Sequence, residues 1–531
     1  IQAGQVAAGT IAMGGALNVV TVNGTAASPV TVTGAITQRP GGQLQISVNN
    51  GRLSDTNPAK GQAATSITIG STGVLEIGAD PINNRNTQFI TSGATTIAAG
   101  GQIGLTLQSL QLSAVQTYTV IQGAPGSITA PGLGATSLGN APFLYSASAS
   151  LVPVDPANGD SEIQLTVSRK TAAQLGFNRA EASAYDAVLA ALAVPTASSL
   201  GIQQALLAQD SEPGLKSVYD QMLPNQAQGI FQALDSAVEK ISAMTATPPD
   251  NATHVGGTSL WLQEVNERIE RDGVDTLGSK AQALGLVGGY ERMGVAGGAL
   301  GVTMAYFNAQ ENTTAAQLGA RDVASLVEAS VYVRRSIGNL TISARGGGGY
   351  GWFSENRLFS SGAAFSQAQA NWTGEFFDGH FGLAYEVKLF GPYYARPEVS
   401  VDYLRLHQSG YQERGDNASF NLAVGPQDDT QFSGQGLMVL GRQWGRTSWF
   451  RTEVRLGYRE VISGQVGDTT ANFADGTPFT LVGDPDKGGW ATVGFSLKSG
   501  SEFSYFALEG DADFRKGERR YDLRVAGRSV F

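Results

Sequence analysis

Apolar and polar residues alternate along much of the C-terminal half of the chain. The alternation is clearest in the stretches 452–459, 491–498, 506–514 and 521–528. In the first stretch Val454, Leu456 and Tyr458 fall on one face, and Glu453 and Arg455 fall on the other. A period of two predicts β-strands whose two faces meet different surroundings.

A soluble β-sandwich and a membrane β-barrel would both show this alternation. The strands run for ten or more residues, longer than the ~5–6 that are usual in soluble sheets. Short and long connections also alternate, which favours a transmembrane barrel of about twelve strands. The short links lie near Gly294, Gly338, Gly391, Gly445 and Gly500, and the long links lie at 308–322, 354–367, 409–431 and 462–488. The pattern slips at 404–406, which predicts a β-bulge.

The inward face of such a barrel would carry charge. Seven charged residues fall on that face of the predicted strands: Arg451, Glu453, Arg455, Arg459, Glu509, Asp511 and Asp513. Outward charge would cost ~2–4 kcal/mol at the middle of the membrane. We therefore expect these side chains to solvate the lumen and to contact whatever fills it.

The N-terminal half has shorter strands. In residues 1–112, short apolar runs such as Leu44–Val48 and Ile103–Leu107 follow glycine-containing turns. This pattern predicts the C-terminal part of a parallel β-solenoid, whose rungs bury their apolar rows on one another. An ordinary β-sandwich is the alternative. Residues 113–170 have stronger strand signals and predict a junction that caps the solenoid's open end.

Residues 171–254 predict a helical linker. Asn178 is a candidate N-cap, and Pro248-Pro249 ends the last helix. Within 225–244, four apolar residues recur at helical spacing: Ile230, Leu234, Val238 and Ile241. Because this stretch precedes the first barrel strand, and because twelve strands enclose little more than one helix, we predict a pore helix. A surface helix packed on a core is the alternative.

Four consecutive glycines, Gly346, Gly347, Gly348 and Gly349, interrupt the predicted strand Leu340–Phe353. Glycine weakens a strand unless another backbone approaches it closely. We therefore predict that the pore helix passes this bare wall. In the alternative, aromatic residues such as Tyr350 and Trp352 pack over the glycines.

Composition separates the two halves and excludes several classes of function. All six tryptophans lie beyond residue 255, and the chain has 69 glycines and only 15% charged residues. With no cysteine, disulfides, Cys-ligated zinc and thiol catalysis are excluded. A net charge of −10 argues against nucleic acid as a partner. Because the sequence opens on Ile1 without a signal peptide, we expect it to begin inside a longer precursor.

Candidate chemistry is sparse. The three histidines, His254, His380 and His407, do not pair at metal-ligand spacing. Asp428-Asp429 and the pair Asp484 and Asp486 could bind calcium or lie in solvated loops. The Arg414-Gly415-Asp416 triplet could mimic an integrin ligand or occur by chance. We expect no catalytic residue, no metal and no cofactor, and hence no enzyme.

The C-terminal half resembles the translocator barrel of the classical autotransporters, the type V secretion family. The resemblance lies in the order of several phrases: Leu260–Glu264, Leu284–Tyr290, Leu300–Tyr306, Ala395–Tyr403, Gly410–Glu413, Ala471–Phe479 and the terminal Phe531. Residues 118–170 resemble the family's autochaperone junction. Four residues resemble its C-terminal barrel-assembly signal: Tyr521, Leu523, Val525 and Phe531. Gly527 and Ser529 depart from the apolar pattern of that signal.

The resemblance implies an all-β protein with a helical linker: a parallel β-solenoid stub (β-helix) followed by a 12-stranded antiparallel transmembrane β-barrel with a helix in its lumen. The implied parts are a passenger end (1–112), an autochaperone-like junction (113–170), a helical linker (171–254) with its pore helix, and a barrel (255–531). Such a protein lies in the Gram-negative outer membrane and exports and anchors its own passenger at the cell surface. Implied partners are outer-membrane lipid, the barrel assembly machinery, periplasmic chaperones and an unidentified surface or host ligand.

Alternative functions are a surface adhesin or structural partner that uses the barrel as an anchor, the display of an upstream catalytic passenger, and a diffusion porin. Some family members cut themselves at an Asn-Asn pair in the pore helix. Here the pairs Asn49-Asn50 and Asn83-Asn84 lie in the solenoid, and Asn225 stands alone near the helix. The sequence therefore predicts that passenger and barrel stay joined.

Overall fold

The computed structural model forms two compact units. One comprises residues 1–177, 188–219 and 361–364, and the other comprises residues 178–187, 220–360 and 365–531. The structure describes residues 5–13, 17–25, 29–111, 113–134, 142–192, 197–225, 228–246, 257–272, 277–295, 298–313, 320–361, 364–416, 420–473, 476, 478–483, 488–501 and 503–531. Within these ranges, no helix is both long enough and apolar enough to cross a lipid bilayer.

Short strands build the first unit. They are β1 (Gln5–Met13), β2 (Leu17–Asn23), β3 (Val30–Gln38), β4 (Gln43–Asn49), β5 (Gly51–Asp55), β6 (Gln62–Ile69), β7 (Val74–Asp80), β8 (Arg85–Asn86), β9 (Phe89–Thr91), β10 (Thr95–Ile97), β11 (Gln102–Leu107), β12 (Val115–Gly123), β13 (Ile128–Thr129), β14 (Tyr145–Val152) and β15 (Ser161–Arg169). Strands β1, β3, β5, β7 and β11 form one parallel ladder. Strands β2, β4 and β6 form a second one, which confirms the predicted parallel sheets.

The parallel pattern ends at β12. This strand pairs parallel with β9 on one side and antiparallel with β15 on the other, and β14 extends the antiparallel part. The hydroxyl of Tyr145 accepts a hydrogen bond from the backbone N–H of Gln111 at 2.9 Å. The antiparallel strands therefore occupy the edge that a further parallel rung would otherwise use.

One carboxylate lies inside the parallel region. Asp55 is buried, and its Oδ1 accepts hydrogen bonds from the backbone N–H groups of Ile36 at 2.9 Å and Asn57 at 3.0 Å. Burial raises the pKa of Asp55 to about 6, because the charged form loses its hydration.

The linker contains four α-helices. They are α1 (Arg179–Leu192), α2 (Ala197–Leu207), α3 (Glu212–Tyr219) and α4 (Gln228–Ala246), and a 3₁₀ turn spans Asp220–Met222. The side chain of Asn178 accepts the N–H of Glu181 at 2.9 Å, and the Glu181 carboxylate accepts the N–H of Asn178 at 2.7 Å. This reciprocal capping box confirms Asn178 as the N-cap of α1.

The second unit is built around a closed antiparallel barrel. Its region contains β16 (Thr258–Arg271), β17 (Ser279–Val295), β18 (Gly298–Thr313), β19 (Ala320–Ile337), β20 (Leu340–Ser361), β21 (Ala364–Tyr385), β22 (Val387–Lys388), β23 (Tyr393–Gln408), β24 (Tyr411–Gln412), β25 (Arg414–Gly415), β26 (Leu422–Val424), β27 (Gln427–Gly445), β28 (Trp449–Gln465), β29 (Thr469–Phe473), β30 (Phe479–Leu481), β31 (Gly488–Gly500), β32 (Ser504–Arg515) and β33 (Glu518–Val530). Twelve strands form the barrel: β16–β21, β23, β27, β28 and β31–β33. The first and last of them pair from Ser259 with Val530 to Arg271 with Glu518. Closure satisfies the backbone hydrogen bonds of every barrel strand, as a lipid environment requires.

Two details of the predicted barrel were wrong. The stretches 308–322 and 354–367 are mostly long strand ends, because β18 reaches Thr313, which pairs with Ser279, and β20 pairs with β19 as far as Arg357 and continues to Ser361. No bulge occurs at 404–406, where β23 and β27 pair without a register shift. Leu404 and Leu406 point inward and are buried while Arg405 points outward, so the alternation continues with the polarity of the two faces reversed.

The outer face of the barrel is largely apolar, with Glu264 and Asn266 of β16 as exposed exceptions. Val454, Leu456 and Tyr458 are each about half exposed on it, whereas their neighbours Glu453 and Arg459 are buried in the lumen. Large exposed apolar side chains recur on the outer face of the other strands as well, for example Leu286, Val302 and Phe495. Such a band suits contact with lipid acyl chains.

Candidate functional site: the barrel lumen and its helix

Helix α4 lies inside the barrel. The four predicted pore-helix residues Ile230, Leu234, Val238 and Ile241 are buried. Their apolar cluster includes small side chains from β17 and β18, together with two large aromatic ones: Ala281, Ala283, Val287, Ala305, Trp261 and Phe307. Small residues on the wall let the helix approach closely, so the apolar stripe packs against one side of the lumen.

The opposite face of α4 is charged and meets charged wall residues. Asp235 accepts hydrogen bonds from the guanidinium of Arg459 at 2.8 Å and from that of Arg520 at 3.2 Å. Arg459 also reaches Glu239, one helical turn further on, at 2.8 Å. The predicted inward position of Arg459 is confirmed. All four side chains are largely removed from water, so each charge depends on its partners.

Lys240 forms the second electrostatic contact of this face. Its Nζ lies 3.3 Å from a carboxylate oxygen of Asp511 and 3.3 Å from one of Asp522. The side chain of Lys240 is only 3% exposed. The cation therefore bridges two carboxylates on the neighbouring strands β32 and β33.

Barrel residues also satisfy the two ends of α4. The Glu311 carboxylate accepts the N–H groups of Gly229 at 3.0 Å and Ile230 at 3.3 Å. At the other end, the Arg334 guanidinium donates to the carbonyl of Thr245 at 2.6 Å. A carboxylate at the N-terminus and a guanidinium at the C-terminus both complement the helix dipole. Wall residues thus cap both ends of the helix.

Polar side chains crowd around Asn225, just before α4. The N–H of Asn225 lies 3.5 Å from Glu355 Oε1, and the hydroxyl of Tyr411 donates to Glu355 Oε2 at 2.7 Å. Asp322 is buried and shares a small cleft with Asn225 and Tyr411. The cleft therefore holds an amide, a phenol and two carboxylates.

A buried guanidinium stabilises the neighbouring part of the mouth. Arg357 donates to Glu413 at 2.8 Å and to the carbonyl of Met222 at 3.2 Å. The same guanidinium stacks on the ring of Phe420, 3.8 Å from its centroid. These contacts hold the 3₁₀ turn at the mouth against strand β20 and the connection between β23 and β27.

A cavity of about 350 Å³ remains beside the C-terminal half of α4. Both signs of charge line it, including Lys240, Arg396, Arg451, Glu453, Glu509 and Arg524. A polar space of this size holds several water molecules. The helix consequently fills only part of the lumen.

The nearest neighbours of the glycine wall belong to the barrel. Gly346 faces outward, and a side chain there would meet nothing within 4 Å. The atoms nearest to the lumen-facing Gly347 and Gly349 are side chains and backbone of the barrel, including Asp378 and Phe376. None of the atoms nearest to these four glycines belongs to α4, and the passage of the helix along this wall stays a prediction; Arg345, on the same strand, does reach the helix. Its guanidinium contacts Asp378 at 2.6 Å and Ser242 of α4 at 3.2 Å. Gly348 packs beside Phe377 on the outer side, as in the aromatic alternative.

The remaining candidates are dispersed. Tyr521, Leu523 and Phe531 are exposed on the outer face of β33 and just beyond it, with Val525 on the same face. His380 pairs with Asp402 at 2.7 Å, and His407 pairs with Asp428 at 3.2 Å. Strand β25 holds Arg414 and Gly415 of the RGD triplet and pairs with β21. Asp429 is buried and accepts the N–H of Gly467. His254, Asp484 and Asp486 lie outside the described residues, and within the described ones no group of three His, Cys, Asp or Glu is arranged to hold a metal.

A closed twelve-stranded barrel with a lipid-facing outer surface and a helix fixed in its lumen defines an outer-membrane translocator. Residues 260–511 match the sequence model of the family described as autotransporter β-domain. This segment, just under half of the chain, is therefore similar in sequence to autotransporter β-domains. The chain is a protein of the Gram-negative outer membrane whose barrel anchors a passenger.

Solved autotransporter domains are similar to the chain. The translocator domain of NalP from Neisseria meningitidis has 11% identity and a TM-score of 0.46, and the match covers 58% of this chain and 98% of that one. The β-domain of Bordetella BrkA has 13% identity and a TM-score of 0.40, with 52% and 100% covered. The transport unit of AIDA-I from Escherichia coli has 11% identity and a TM-score of 0.38, with 58% and 100% covered. No curated protein sequence matches the chain.

Proposed function

We propose that the barrel exports the N-terminal parallel-sheet region to the cell surface and then stays covalently joined to it, with α4 as the retained plug. The exported part, the passenger, binds a surface or host ligand and does not turn over a substrate. Residues Tyr521, Leu523, Val525 and Phe531 act as the signal for the barrel assembly machinery.

The seat of α4 is the observation that carries the proposal. Wall residues pair with Asp235, Glu239 and Lys240 and cap both helix ends. Removing one partner from a buried ion pair costs ~3–5 kcal/mol. A helix fixed in this way anchors the preceding, uncleaved part of the chain to the barrel.

Immunoblots of outer-membrane fractions test this proposal. With tags at both ends, we expect one band that carries both tags, and externally added protease should remove the N-terminal tag from intact cells. Two fragments in untreated cells would contradict the uncut anchor. An N-terminal tag that protease reaches only after lysis would contradict export.

The cleft around Asn225 favours a second candidate, self-cleavage after that residue. In this reaction Asn225 Nδ2 attacks its own carbonyl carbon, and the bond to the nitrogen of Gln226 breaks. The Nδ2 proton passes through a carboxylate, either Asp322 or Glu355, to the leaving amine. The products are a C-terminal succinimide and a free N-terminal amine. Asn225→Ala and the double variant D322N/E355Q should then each convert two fragments into one band, whereas the control Asn266→Ala, on the outer face, should still give two.

A further inference from the structure

Cations are concentrated in one sector of the barrel's outer face. Where β33, β16, β17, β18 and β19 reach the end of the barrel that carries the long connections, four cationic side chains are exposed. We call them the rim patch: Arg268, Lys280, Arg321 and Arg519. Lys280 and Arg519 lie close together, because both pair with Glu270 of β16, one from each neighbouring strand.

The ladder continues this row across five strands. Lys280 pairs with Asn312, and Asn312 pairs with Arg321. Adjacent strands lie ~4.8 Å apart, so the row is roughly 19 Å wide. Arg268 lies one outward position below it and reaches Glu270 at 2.6 Å. With one carboxylate among four cations, the rim patch and Glu270 together carry a charge of +3.

The patch lies directly above the lipid-facing band. Tyr521, Leu284 and Val323 are the outward apolar residues that follow Arg519, Lys280 and Arg321 towards the middle of their strands. Long cationic side chains at this level extend into the headgroup region while their strands continue into the acyl region. Because the long connections and the start of α4 share this end, the headgroups belong to the outer leaflet.

The opposite sector lacks such an excess of positive charge. There Arg405 pairs with Asp428 at 3.0 Å, the exposed Arg414 and Asp416 beside β21 balance each other in charge, and Glu375 and Glu460 add outward negative charge. The positive sector is therefore a local feature of the barrel.

We propose that the rim patch binds the phosphate groups of a glycolipid in the outer leaflet, whose acyl chains then lie on the outward apolar residues of β33 and β17. Guanidinium groups suit this role because they bind phosphate oxygens in a bidentate manner. The binding unit is a phosphorylated sugar headgroup anchored by acyl chains.

Native mass spectrometry of the full chain in detergent tests the proposal. The probe is an acylated glucosamine disaccharide that carries two phosphates, compared with the same lipid without phosphates. We expect the rim variant R268Q/K280Q/R321Q/R519Q to bind the phosphorylated probe at least about tenfold more weakly than the unaltered chain. The matched variant R292Q/R335Q/K388Q/R446Q, which removes four exposed cations at the other end of the barrel, should bind normally.

Further arms identify the ligand and exclude a folding defect. The charge-conserving variant R268K/R321K/R519K should bind within about twofold of the unaltered chain. Heat-dependent migration on gels identifies the folded barrel, and if the fourfold variant is unfolded, R268Q/R519Q should show an intermediate loss. Equal binding of the dephosphorylated lipid, displacement by millimolar inorganic phosphate, or equal loss in both fourfold variants would overturn the proposal.

Discussion

Replacing Asp235 by alanine should loosen the helix in the lumen. Asp235 bridges Arg459 and Arg520, at 2.8 and 3.2 Å. In the variant, both guanidinium groups stay buried while one of their carboxylates is gone. Arg459 retains Glu239 at 2.8 Å. We therefore take the lower end of the cost of breaking a buried pair, about 3 kcal/mol.

That free energy favours the state in which α4 has left its seat. A change of 1.4 kcal/mol corresponds to about a tenfold change in an equilibrium, so the displaced state should become roughly a hundredfold more populated. Single-channel recordings in planar bilayers measure this population as the fraction of time spent in a fully open state. Asp235→Asn, which retains a hydrogen-bond acceptor, should give a smaller increase.

A double-mutant cycle isolates the ion pair from other effects. Arg459→Gln combined with Asp235→Ala should cost less than the sum of the two single changes, because the first change removes one of the groups that the second leaves unpaired. Glu460→Ala, on the outer face, should leave the recordings unchanged. An open fraction for Asp235→Ala that stays within twofold of the unaltered chain would refute the electrostatic seat.

Three further predictions concern other parts of the molecule. The pKa of Asp55 is raised to about 6 from 3.8, so the folded state binds the carboxyl proton more tightly than the unfolded state does. The stability that the protonated Asp55 contributes is therefore present below about pH 4 and is lost as the pH rises through 6. Pulse proteolysis in urea should show the first unit losing about 3 kcal/mol over that window, and Asp55→Asn should flatten the profile; a steeper profile in the variant would contradict the assignment. Gly349→Ala should lower the urea midpoint of barrel unfolding by the equivalent of ~1–3 kcal/mol, since the new methyl would overlap Phe376 and the carbonyl of Val327, whereas Gly346→Ala should be neutral because nothing lies within 4 Å; equal midpoints would be inconsistent with the packing described. Deleting 228–246 should raise the barrel's ion conductance several-fold, because a helix with side chains is ~10–12 Å across; unchanged conductance would mean that α4 does not limit the lumen.

The strand pattern could be predicted from the sequence only where lipid faces one side. Along 452–459 the outward residues are apolar and the inward ones charged, so the period of two is visible. In 308–322, Asn308 and Gln310 point outward beside the inward Glu311, and both faces are therefore polar. Strand ends that extend past the lipid resemble a loop for this reason. The same misassignment concealed Glu311, which caps α4.

The ion pairs inside the lumen could not be predicted from the spacing of residues in the sequence. The inward position of Arg459 and Asp511 follows from alternation, and the apolar stripe of α4 follows from its helical period. Nothing local indicates that Arg459 meets Asp235, which lies more than two hundred residues earlier in the chain. The charges at Asp235, Glu239 and Lys240 were visible signals, but they are also typical of a solvated helix face.

The ring of strands closes through the last residue of the chain, where the N–H of Phe531 donates to the carbonyl of Thr258 at 2.9 Å and the N–H of Thr258 donates to the carbonyl of Phe531 at 2.8 Å. Because α4 precedes every barrel strand in the sequence, it is synthesised before the barrel that surrounds it. When the last strand pairs, the barrel closes either around α4 or before α4 has entered the lumen. The order of barrel closure and helix entry is therefore a topological question for the assembly of this protein, in addition to an energetic one.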